Sequence, residues 1–179
     1  MRYITLDDTI KLMKDELKRT FPGVKFGLRR SRGTGAGTVH VTWTDGPKYA
    51  AVTSIADHYA GAGFDGMTDS SYSIETVDVR ADGTPEAIRY GTRYVLCQRT
   101  QSDAYRATYL RKLLRCWSDP TPGPAERARL LALADGELVR AMNSVRMDGE
   151  WATTLAYRIE QDTFGHYATM QSVSGERAP

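Results

Sequence analysis

Leu6, Ile10, Met13 and Leu17 recur at helical spacing, with Thr5 where an N-cap belongs and Asp8 three residues on. The pattern predicts a helix to about Thr20, ended by Phe21-Pro22-Gly23, because proline cannot continue the ladder. The period then drops to two. Val24, Phe26 and Leu28 alternate with Lys25, Gly27 and Arg29, and Val39, Val41 and Trp43 alternate with His40 and Thr42. This predicts two strands with one buried face each, joined as a hairpin through the glycine-rich stretch 31–37. Asp45-Gly46-Pro47 reads as a helix start, with Asp45 or Gly46 near the N-cap. Ala51, Val52, Ile55, Ala56 and Tyr59 supply its apolar stripe, and Gly61 and Gly63 its stop.

Residues 64–69 read as a turn-rich connector, 72–79 as room for a strand, and Asp82-Gly83 as a turn. Strand character resumes over 88–99, giving a third and a fourth strand. Beyond it the pattern is helical. Tyr105, Tyr109, Leu113 and Cys116 fall near one face of a helix over 104–117, which Pro120-Thr121-Pro122-Gly123-Pro124 breaks. Leu130, Leu131, Leu133, Leu138, Val139 and Met142 predict one bent helix or two short ones around Gly136, and Trp151, Leu155 and Ile159 mark another. The tail after Thr169 is polar and reads as frayed. The expected fold is α+β: an antiparallel sheet of three to four strands packed with helices, over 1–118, extended by a helical region over 119–179 that shares its core.

With 179 residues, 41% of them hydrophobic and 26% charged, the chain can support a core without disulfides or metal. No apolar run approaches the length of a membrane span, and the charged N-terminal segment does not read as a signal peptide. Cys97 and Cys116 are too few for a stapled scaffold or a four-cysteine zinc site; as packed free thiols they point to a reducing, cytoplasmic setting. Charge is segregated: ten basic against six acidic side chains in 1–62, one against six in 63–87, seven against one in 88–117, six against nine in 118–179. The segregation marks either an anion-binding face or a basic strand and helix neutralised by the acidic segment beside them.

No catalytic or metal-binding constellation emerges, and no cofactor is expected. His40, His58 and His166 stand apart, without a second ligand at metal spacing, and His40 belongs to the polar face of its strand. Asp65 and Asp69 read first as turn formers, and Gly33, Gly35 and Gly37 lack the lysine and following helix of a nucleotide loop. Arg29, Arg30 and Arg32 around that loop could still lie against a polyanion. The other candidate binding surface takes Arg89, Arg93, Arg99 and Tyr94 from the strand region. From the following helix it takes Tyr105, Arg106, Arg111, Lys112 and Arg115, a composition suited to a protein interface or to stacked bases and phosphates. The bland alternative keeps the tyrosines in the core and the arginines solvated or paired.

Phe21-Pro22-Gly23-Val24-Lys25-Phe26, Val41-Thr42-Trp43-Thr44-Asp45-Gly46-Pro47, Phe64-Asp65-Gly66-Met67 with Asp69, and Tyr90-Gly91-Thr92-Arg93-Tyr94-Val95 with Arg99 and Ser102 follow one another in an order that resembles a known family. Over roughly residues 3–103 the chain resembles the large polyvalent protein-associated domain family, type 29, of phage and conjugative-element proteins. The resemblance implies a mobile-element accessory role, in establishment or counter-defence, and carries over no catalytic residue; it also implies that residues 90–102 continue a hairpin. Physically, Trp43 is expected to plug the sheet–helix interface, Asp45-Gly46-Pro47 to cap the second helix, and Phe64 and Met67 to close the core's edge. The functional expectation is a non-enzymatic protein that binds a host or defence protein in the host cytoplasm. The alternatives are nucleic-acid binding by the Arg/Tyr face, or an enzyme using Asp65, Asp69, His40 or His58.

Overall fold

The computed structural model describes residues 1–80, 82–117, 120 and 122–161. His166 and the tail after Thr169 lie outside them. The chain has the expected α+β class with C-terminal helices, and it divides into two compact units, Met1–Thr100 and Gln101–Pro179. No helix among the described residues is long and apolar enough to cross a membrane.

The first unit runs β1 (Arg2–Ile4), α1 (Leu6–Thr20), β2 (Gly27–Arg30), β3 (Thr38–Thr44), α2 (Tyr49–Ala56), β4 (Ala62–Asp65), β5 (Ser70–Ser73), β6 (Thr76–Val79), β7 (Pro85–Tyr90) and β8 (Tyr94–Thr100). In α1 the Asp8 N–H donates to Thr5 Oγ1 at 3.2 Å and the Thr5 hydroxyl to Asp8 Oδ2 at 2.7 Å, the cap the spacing predicts. Its buried stripe, Thr9, Met13 and Leu17, sits one turn apart at each step. In β3, Val39, Val41 and Trp43 are buried and His40, Thr42 and Thr44 exposed. Each fully buried aliphatic side chain of this kind contributes about 1.5–3 kcal/mol.

The pairing departs from a plain antiparallel meander. β2 pairs antiparallel with β3, but β3 pairs parallel with β8, Val39 opposite Val95 and Val41 opposite Cys97. β6 pairs antiparallel with β7, and β7 parallel with β1. The expected hairpin through residues 90–102 is therefore replaced by a crossing between two sheets: β7 ends in one and β8 begins in the other. Two glycines permit that crossing. A Cβ on Gly61 would sit 2.3 Å from Tyr90 O and 2.5 Å from Thr92 O, and one on Gly91 would sit 2.5 Å from Leu6 N. Gly61 serves this close approach; α2 has already ended at Ala56 and passed into a 3-10 turn over Asp57–Tyr59.

Other boundaries move for local reasons. The second strand starts at Gly27, since Val24 and Phe26 pack on the core from chain that forms no ladder. Asp45 and Gly46 adopt left-handed φ of 55° and 61°, so they make a turn rather than a cap, and α2 begins after Lys48. The stretch 64–69, expected to be a connector, supplies the end of β4 and the turn of a β4–β5 hairpin. Phe64 and Met67 are exposed there, not at the core's edge. Asp65 accepts hydrogen bonds from the Met67 N–H and the Thr68 hydroxyl, both at 2.9 Å, which hold its carboxyl below the usual range.

The second unit contains α3 (Asp103–Cys116), α4 (Pro124–Leu131), α5 (Asp135–Met142), a hairpin of β9 (Arg146–Met147) and β10 (Glu150–Trp151), and α6 (Ala152–Glu160). The Ser102 hydroxyl caps α3 by accepting the Tyr105 N–H at 3.1 Å. The buried face of α3 is Ala107, Leu110, Leu113 and Leu114, so Cys116 is exposed rather than packed; Cys97, on β8, is half-buried. The proline-rich insert falls inside this unit because α3 and the later helices bury their apolar faces in one cluster. Gly136 lies within α5, and the break falls at Ala132-Leu133-Ala134. Trp151 is exposed, with the Arg146 guanidinium 4.5 Å from its ring centre.

Candidate functional site

The twelve arginine, lysine and tyrosine candidates do not share one environment. Five gather at one end of the β2–β3–β8 sheet. Arg29 and Arg30 close β2, Arg32 opens the glycine loop, and the Arg93 N–H donates to Gly37 O at 2.7 Å, which docks the loop on the start of β8. Arg93 also lies 5.6 Å from the ring centre of Tyr94, and Tyr94 stands opposite Thr38. Arg30 pairs with Asp7 at 3.2 Å, while Arg29, Arg32 and Arg93 form no ion pair among the described residues.

Arg89 and Arg99 go elsewhere. Arg89 is on β7 opposite Tyr3, in the other sheet. Arg99 stands opposite Trp43, where its Nε donates to Asp45 O and its Nη2 to Gly46 O, each at 3.2 Å, fastening the left-handed turn. In the second unit the Arg111 guanidinium is likewise engaged: Nη1 meets Asp135 Oδ1 at 2.6 Å and Nη2 donates to Leu133 O at 2.9 Å. Arg106 donates to Asn143 Oδ1 at 3.2 Å, and Lys112 and Arg115 are exposed on α3. Tyr105 faces inward, its hydroxyl donating to the buried Glu160 carboxylate at 3.0 Å beside Gln101 Nε2 at 2.8 Å.

Of the groups named for catalysis, Asp65 and Asp69 share the β4–β5 hairpin turn, while His40 and His58 have other neighbours. His40 lies on the solvent face of β3, 3.0 Å from Ser31 Oγ, a contact invisible in the sequence because it spans the glycine loop. Asp65 is tied into its hairpin turn, and His58 packs edge-on against Tyr59 and Tyr90, with ring centres 5.5 and 5.9 Å away. No three His, Cys, Asp or Glu side chains converge at metal-binding distance among the described residues.

Two features of the first unit were not legible as sites. One is a cleft of about 660 Å³ between α1 and the β1–β7–β6 sheet, lined among others by Arg2, Asp8, Lys11, Asp15, His58, Tyr59, Asp78 and Tyr90. Behind it the Tyr59 hydroxyl donates to Glu16 Oε2 at 2.5 Å; burial first, then that carboxylate, pushes the phenol well above its ordinary value. The other is the outer face of the same sheet. Register places Val77 opposite Ala87, Val79 opposite Pro85 and Tyr3 opposite Arg89, so these side chains form one continuous face. On it Tyr3, Val77 and Val79 are 62%, 67% and 64% exposed. The only signal for either feature was the alternation Val77-Asp78-Val79, which does not say which side is covered.

The sequence model described as large polyvalent protein associated domain 29 matches residues 4–102, from the end of β1 to the cap of α3, and so nearly the whole first unit. Neither the curated proteins nor the solved structures compared gave a match. Domains of this type are associated with polyvalent proteins of phages and other mobile elements. Because the match covers more than half of the chain, the protein belongs to the large polyvalent protein associated domain 29 family.

Proposed function

We propose that this chain is a non-enzymatic accessory protein of a phage or plasmid that acts inside the host cell, in counter-defence, by binding a host or defence protein. The observation that carries the reading is the apolar outer face of the β1–β7–β6 sheet. Single exposed apolar residues are ordinary on any protein surface, but a contiguous exposed apolar patch is characteristic of an interaction site. Cross-strand neighbours lie about 5 Å apart, so Val77 with Ala87 and Val79 with Pro85 form one apolar patch, which Arg89 separates from Tyr3. The test is a nuclease-treated pulldown from host lysate with the wild type and a Val77→Glu/Val79→Glu variant of unchanged melting temperature. Capture of a partner by the wild type alone is expected; no capture, or equal capture by the variant, overturns the reading.

A second reading, nucleic-acid binding, is favoured by one arrangement: Arg29, Arg32, Arg93 and Tyr94 at the docked glycine loop. Phosphate contacts release counterions, so a gel shift present at about 50 mM salt should fade by about 200 mM. No shift at the lower salt removes this reading.

A further inference from the structure

The cleft beside α1 carries chemistry that neither reading uses. Its cations are already committed: Lys11 Nζ is 3.2 Å from Asp8 Oδ1, and Arg2 reaches Asp78 at 3.1 Å and Glu86 at 3.4 Å. Asp15, on the same wall, makes no ion pair or hydrogen bond among the described residues. Tyr90 lines the cleft as well. It is only 8% exposed, yet its hydroxyl has no hydrogen-bond partner among the described residues. Its ring is fixed by Tyr59, whose centre is 5.0 Å away, and by His58. Burial, then the charges of Asp78 and Glu16, pushes the Tyr90 phenol up, against an opposing contribution from Arg2.

The Tyr90 hydroxyl opens onto the cleft, where a bound ligand can take the place of water as its hydrogen-bond partner. The class of ligand follows from the charges. An anion would meet the unpaired Asp15 carboxylate with both local cations already engaged, and an apolar group would leave the hydroxyl and that carboxylate unpaired. A cation with several N–H donors satisfies both, and the cleft's volume of about 660 Å³ is in the range of small-ligand sites. We propose that this cleft binds a cationic nitrogen group, a guanidinium or an ammonium, with the Asp15 carboxylate and the Tyr90 hydroxyl as its acceptors. That group comes either from a basic side chain of a protein partner or from a free polyamine. The inference stands apart from the apolar outer face and does not require it.

The test is an amide-resolved NMR titration of the full chain with L-argininamide, with spermidine, and with an arginine-containing peptide, set against inorganic phosphate. Saturable shifts at Asp15, His58 and Tyr90 with the cations and none with phosphate are expected. Asp15→Asn and Tyr90→Phe should each weaken argininamide binding at least fivefold; the first changes an exposed helix residue and the second keeps the ring. Tighter binding of the peptide than of spermidine assigns the cation to a partner protein, and the reverse order to a polyamine. Absence of saturable shifts with any cation, saturation by phosphate instead, or binding unchanged in both variants overturns the proposal. Because the outer-face variant Val77→Glu/Val79→Glu leaves these acceptors in place, it should titrate like the wild type, so the two readings fail separately.

Discussion

Trp43 shows how much one side chain can settle. It is 3% exposed, its indole N–H donates to Pro47 O at 3.1 Å, and its ring lies 6.0 Å from Phe26 and 6.2 Å from Tyr49. Trp43→Ala should cost about 3–5 kcal/mol in denaturant unfolding, as large-to-small core changes do, and any loss of function should follow loss of fold. Wild-type stability in that variant would refute the core role. Tyr59 sets a limit at alkaline pH. Its phenol is raised above the ordinary value of 10, so the folded state favours the neutral form. The stabilisation is complete below pH 10 and is lost as pH rises beyond it. Near neutrality Tyr59→Phe should be less stable by roughly 1–2 kcal/mol, because Glu16 loses its donor. Unfolding curves taken from pH 8 to pH 11 should show that gap closing, and a gap independent of pH would contradict it.

Elements were legible where their determinants are local. Thr5 and Asp8 are three residues apart, so the cap of α1 was readable, and Thr5→Ala should lower stability by about 1 kcal/mol in thermal melts. The β9–β10 turn, Asp148-Gly149 with φ of 52° and 77°, is as local but was missed, since its flanking strands are two residues each. Asp45-Gly46 misled for the opposite reason. The pair suits a helix start, but the turn's conformation is held from 53 residues away, by Arg99 donating to Gly46 O. No window around Asp45 contains that partner.

At the scale of the molecule, each compact unit has its own buried cluster: Met13, Leu17, Val41, Trp43 and Ile88 in the first, Leu110, Leu113, Leu138, Met142 and Leu155 in the second. Residues 1–102 expressed alone should therefore unfold cooperatively, in a single transition by circular dichroism and tryptophan fluorescence. Non-coincident transitions would show that the first unit needs the second. Of the candidate sites, the grouping of Arg29, Arg30, Arg32, Arg93 and Tyr94 joins two stretches that the sequence had marked separately, and the loop's contact with Arg93 is what unites them. The cleft drew on residues that looked unremarkable alone: Arg2, Asp15 and Tyr90 are up to 88 positions apart.

The sequence by itself determined the class of the longer helices and of the strand around Trp43, the buried face of β3, the cap of α1 and the family, since these depend on neighbours a few positions away or on the linear order of motifs. Only the tertiary structure decided which strands pair, which arginines brace turns and which face solvent, and which side chains line the cleft beside α1. Those outcomes depend on contacts between distant segments, and side-chain periodicity reports that a face is covered without naming what covers it.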